Sequence, residues 1–112
     1  MSTVAGSAVI GTAFPSAEVT ECLRNELIEV VKEDAAIKGV ALPVKVEDVV
    51  SLPTHVDSLV VVAILCAIEP IVGFELPESL VRTGGYRSVV TALDHLLPRI
   101  EKEWMKKKGV TS

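Results

Sequence analysis

HVDSLVVVAILCAIEPIVGFELP runs from His55 to Pro77. An Asp-Ser pair is followed by an unbroken apolar run of ten residues, Leu59 to Ile68. The run is too short for a membrane span, which needs about 20 residues. Val60, Val61, Val62 and Ile64 are β-branched and favour a strand. Leu65, Ala63 and Ala67 favour a helix, and the run is long for a strand. Asp57 or Ser58 supplies an N-cap, and Gly73 supplies a stop after Glu69-Pro70. On local grounds both helix and strand stay open.

The rest of the chain narrows the setting. Its 112 residues suit one domain with one modest core. Apolar residues are 49% and charged residues 23%, the balance of a folding chain. The aromatics are Phe14, Phe74, Tyr86 and Trp104, so Val, Leu, Ile and Ala must build the core. A net charge of −4 argues against a nucleic-acid partner, because phosphate binding needs a concentrated basic surface. Lys106-Lys107-Lys108 reads as the dipole-complementing end of a helix. Cys22 and Cys66 read as buried free thiols. MSTVAGSAVIGTAF lacks the basic start and long apolar centre of a signal peptide, so a cytoplasmic location is expected.

Residues 1–15 read as a flexible arm that packs through Val9, Ile10 and Phe14. A helical domain follows over 16–108, and 109–112 form a tail. With Ser16 as N-cap, Val19, Leu23, Leu27, Val30 and Val31 recur at helical spacing to about Asp34. Residues 35–57 read as a long loop, broken by Gly39, Pro43 and Pro53, with Val40, Leu42, Val44, Val46, Val49, Val50 and Leu52 as apolar anchors. A turn of helix at Glu47–Ser51 or a short strand in LPVKVEDVV also fits there. Residues 78–82 suit a short helical turn ended by Gly84-Gly85. Val89, Val90, Leu93, Leu96 and Leu97 mark a last helix from Ser88, kinked or split at Pro98.

With Asp57-Ser58-Leu59 at the start of a helix after a long loop, the chain resembles an acyl carrier protein. The likeness covers roughly residues 17–97. It includes the spacing from Ser58 to Leu76-Pro77, the Gly73-Phe74-Glu75-Leu76-Pro77 junction and Ser88-Val89 at the last helix. It implies an all-α, four-helix bundle with a long loop between the first and second helices, and makes Leu59–Ile71 a helix. It implies 4′-phosphopantetheine on Ser58, with Asp57 and Leu59 beside it and Asp57 sharing Mg²⁺ during attachment. The protein is then no enzyme but a carrier. It is a substrate of a phosphopantetheinyl transferase and serves acyl-transferring or condensing enzymes of fatty acid, lipid or polyketide-type synthesis. Leu59, Val62, Ile64, Leu80, Val90 and Leu93 are candidate walls of an acyl pocket.

One departure is informative. Carriers of this family place acidic residues along the second helix, whereas Val60, Val61 and Ala63 stand here and only Glu69 remains. The helix is apolar nearly all round, which suggests a dedicated partner met by hydrophobic contact, a homodimer, or cover by the chain's own extensions. An unmodified carrier-like adaptor, with Ser58 as a simple cap, is the alternative function. Other chemistry is poorly supported. His55, Asp57 and Ser58 are too close in sequence to converge as a triad, and there is no Gly-x-Ser-x-Gly elbow. Cys22, Cys66, His55 and His95 lack metal-ligand spacing. Glu69, Glu75 and Glu78 read as solvated charge, and His95 as a helix-surface residue.

Overall fold

The computed structural model describes residues 13–108. Four α-helices form there: α1 (Ser16–Lys38), α2 (Val46–Ser51), α3 (Ser58–Val72) and α4 (Val89–Lys107). A single 3₁₀ turn, Glu78–Leu80, lies between α3 and α4. No strand forms among the described residues; Val56 and Tyr86 make one isolated antiparallel bridge. The all-α class read from the sequence is therefore correct. Residues 1–12 and 109–112, with the expected packing of Val9 and Ile10, lie outside the described residues.

The stretch His55–Pro77 resolves as a helix because the apolar run is buried on one side only. Val61, Ile64, Leu65, Ile68 and Val72 point into the core, a spacing of three and four that a strand cannot deliver. α1 packs on both α3 and α4, while α2 and the 3₁₀ turn pack on α4. Leu23, Leu27, Val61, Ile68, Leu96 and Ile100 are fully buried between them. Each such side chain contributes on the order of 1.5–3 kcal/mol.

Several local expectations are corrected. α1 continues past Asp34 to Lys38, since Ala35, Ala36 and Ile37 do not oppose a helix and Lys38 pairs with Asp34 at 3.0 Å. It stops at Gly39, which takes the left-handed conformation. Ser16 does not cap α1: Pro15 holds the cap position, with no side-chain hydrogen bond. Within the segment read as loop, the turn of helix allowed at Glu47–Ser51 forms as α2, Val46–Ser51, anchored by buried Val49. The other anchors divide. Leu42, Val50 and Leu52 pack on the core, whereas Val40, Val44 and Val46 are exposed, Val44 almost completely. The short helical turn expected over residues 78–82 forms as the 3₁₀ turn Glu78–Leu80.

α4 runs through Pro98 without interruption, and α3 runs through Pro70. Proline removes the hydrogen bond to the carbonyl four residues back. Those carbonyls belong to Cys66 and Asp94, both exposed, as are the two prolines. Water can therefore satisfy the freed oxygens. Trp104 is buried near the far end of α4, and Phe14 meets it edge-on with ring centroids 5.9 Å apart. The residues just before α1 are thereby tied to α4.

The reading of two buried thiols fails for Cys66, which is exposed on α3. Cys22 is half-buried and its thiol points at the Ala67 carbonyl, 3.8 Å away. Burial, and then the Glu26 carboxylate, raise the Cys22 pKa.

Candidate functional site

The candidate site is the start of α3. Asp57 has extended backbone, and its carboxylate accepts the Leu59 amide proton at 2.7 Å. Asp57 is thus the N-cap, a role that needs a short side chain with an oxygen acceptor. Ser58 is the first helical residue and is half-buried. Its hydroxyl is not the capping group, because the neighbouring carboxylate already does that. His55 and Asp57 are exposed, and Leu59 is 76% exposed.

The backbone leading into the site is held from the side. The Val56 amide donates to the Tyr86 carbonyl at 2.8 Å, and the Tyr86 amide donates to the Val56 carbonyl at 2.9 Å. The Thr54 amide donates to the Arg87 carbonyl at 2.7 Å. Gly84 and Gly85 both have positive φ, 91° and 86°. At Gly85 a β-carbon would overlap the Val56 carbonyl oxygen and crowd the Ser58 amide nitrogen. Glycine is required there both for φ and for the close approach.

Tyr86 extends this hold into the core. It is 1% exposed. Its hydroxyl oxygen accepts the Arg82 amide proton at 2.9 Å and lies 2.7 Å from His95 Nδ1. Burial, then Arg99 and Arg82, push the His95 pKa below its usual value. His95 is thus not a free helix-surface residue. Ser88 caps α4 by accepting the Thr91 amide proton at 3.1 Å, which fits the reading of Ser88-Val89 as the start of the last helix. At the other end of α3, Glu69 is not merely solvated: its carboxylate accepts the Leu76 amide proton at 2.9 Å and holds the Gly73–Pro77 junction.

The six pocket-wall candidates do not share one environment. Ile64 and Leu80 are buried, Val62 and Leu93 are half-buried, and Leu59 and Val90 lie on the outside. Leu80 borders a shallow depression with Ser79, Arg99 and Lys102. The exposed side of α3 carries Leu59, Ala63, Cys66 and Pro70, with no charge among them. Among the described residues, no group of three or more His, Cys, Asp and Glu side chains could hold a metal ion. No helix there is long and apolar enough to cross a membrane.

Sequence reading missed Val56, Gly85, Tyr86 and His95 as parts of one unit. The available signal was the Gly84-Gly85 pair directly before the chain's one tyrosine. Comparison of the chain with protein-family models, with curated proteins and with solved structures returned no match.

Proposed function

We propose that this protein is an acyl carrier whose Ser58 bears 4′-phosphopantetheine. The observation that carries the reading is the division of labour at the start of α3. Asp57 caps the helix through its carboxylate at 2.7 Å from the Leu59 nitrogen, which leaves the neighbouring hydroxyl available for chemistry. The helix order supports it too: a long first helix, an extended connection, the Asp-Ser-Leu helix, a short turn and a last helix. In this reading the bundle is acyl-carrier-like, with α2 embedded in the long loop.

The residues fit the group. On attachment Ser58 Oγ would bond to the arm's phosphorus as the pyrophosphate bond of coenzyme A breaks and adenosine 3′,5′-bisphosphate leaves, the serine proton passing to a base of the transferase or to solvent. Asp57 is exposed and is a hard oxygen donor, suited to share Mg²⁺ with that pyrophosphate. The α3 N-terminus favours the resulting negative charge through its dipole and free amide groups. When bound, phosphopantetheine supplies the thiol that carries an acyl group as a thioester. The protein holds and presents it, and enzymes of fatty acid, lipid or polyketide-type synthesis act on it.

The exposed, uncharged side of α3 favours a second reading. With Leu59 76% exposed, an unmodified adaptor would use that side to meet a partner protein or a second copy by apolar contact. Loading separates the two. The protein is incubated with radiolabelled acetyl-coenzyme A, Mg²⁺ and a broad-specificity phosphopantetheinyl transferase. A carrier takes up label that hydroxylamine releases as expected of a thioester, and Ser58→Ala takes up none. An adaptor stays unlabelled in both forms.

A further inference from the structure

We propose that the Tyr86–His95 hydrogen bond is a pH-responsive clamp on the start of α3, closed while His95 is neutral and loosened when it takes up a proton. The clamp itself is independent of the carrier reading; its consequence for Ser58 rests on that reading.

Proton accounting assigns the closed state. The Tyr86 oxygen already accepts the Arg82 amide proton at 2.9 Å. Its own single proton is then free for His95 Nδ1, 2.7 Å away. A neutral imidazole that accepts at Nδ1 carries its proton at Nε2. Protonation turns Nδ1 into a donor. The Tyr86 oxygen would then face two donors, and its own proton would lose its acceptor in a side chain only 1% exposed.

The surroundings add to this. Two cations act against a charged His95: Arg99, one turn further along α4, and Arg82. The Arg82 guanidinium also lies over the Tyr86 ring, 5.3 Å from its centroid. A charged imidazole places a third cation in this corner. Burial opposes the charge as well.

Transmission to α3 is short. The Tyr86 backbone exchanges two hydrogen bonds with Val56, two residues before Ser58. Gly85 lies directly against the Val56 carbonyl and the Ser58 amide. A shift of the Tyr86 backbone therefore strains the two hydrogen bonds to Val56 and the close contact at Gly85. His55 and Asp57 are also titratable near the bridge, but both are exposed and neither contributes to the Tyr86–His95 pair.

The test is amide hydrogen exchange at Val56 and Tyr86, corrected for intrinsic exchange, at about pH 7.5 and at a pH below the His95 midpoint followed by NMR. Protection at these two amides should fall by about threefold or more at the lower pH, and by more than any fall at the core amides of Leu27 and Ile100, which report global stability. His95→Gln should abolish the change, while His55→Gln should preserve it. A flat wild-type response, or the same fall in His95→Gln, overturns the clamp. Should His95→Gln fail to fold, Tyr86→Phe decides instead. The His95 midpoint, followed by NMR, must rise in that variant; an unmoved midpoint overturns the proposal. Transfer of phosphopantetheine to Ser58 is read in parallel. A pH-dependent bridge in a protein that is never modified sinks the carrier reading alone, whereas modification with a flat bridge sinks the clamp alone.

Discussion

Gly85 stands so close to Val56 that no side chain fits between them: a β-carbon would overlap the Val56 carbonyl oxygen. Gly84, its neighbour, also has positive φ but faces open space. The two glycines should therefore respond differently to alanine. Gly84→Ala carries the left-handed penalty alone, about 1–2 kcal/mol. Gly85→Ala adds a backbone collision and should cost clearly more, about 3 kcal/mol or above. Denaturant unfolding of both variants measures the difference, and equal losses would show that the contact does not constrain the fold.

Asp57 contributes to stability through its cap. Asp57→Ala should lose about 1 kcal/mol in denaturant unfolding, while Asp57→Asn should keep most of it, because asparagine caps as well. The carrier reading separates these variants in a second assay. Asp57→Asn keeps the cap but loses the charged metal ligand, so modification of Ser58 should slow although the fold is intact.

Much of this fold was legible because burial follows spacing. Val19, Leu23 and Leu27 in α1 and Val89, Leu96 and Ile100 in α4 occupy core positions that a helical repeat anticipates. The run after Ser58 was ambiguous on local grounds, since ten consecutive apolar residues carry no periodicity; the resemblance made Leu59–Ile71 a helix, and the structure has Ser58–Val72 helical, packed on α1. α2 was obscured for the opposite reason. Its helix rests on one buried residue, Val49, amid prolines and exposed valines. At the candidate site, Asp57, Ser58 and Leu59 could be selected from the chain because they are contiguous. The Val56–Tyr86–His95 connection could not, as it depends on a tertiary bridge between distant segments.

Burial also sets the contrast between Trp104 and Leu59, two large apolar residues at 3% and 76% exposure. Trp104→Ala should destabilise by about 3–5 kcal/mol, partly by releasing Phe14. Leu59→Ala should stay within about 0.5 kcal/mol. If α3 meets a partner through its uncharged side, Leu59→Ala should weaken that binding, with little dependence on salt.

Stability should also depend on pH through His95. Its folded pKa lies below the usual histidine value of 6.5, so the unfolded chain binds the proton more readily. The contribution is therefore fully present above about pH 6.5 and is lost as pH falls through the folded pKa. Thermal unfolding between about pH 7.5 and pH 5 should show a decline that is reduced in His95→Gln. Equal declines in both proteins would assign the effect to other groups.

The claim that Ser58 carries phosphopantetheine meets its most direct test in intact mass. Purified protein is incubated with coenzyme A, Mg²⁺ and a broad-specificity transferase, beside Ser58→Ala and a known carrier. A gain of one phosphopantetheine on the wild type, and none on Ser58→Ala, is the expected result. An unchanged mass in folded wild-type protein, with the known carrier modified alongside, would contradict it.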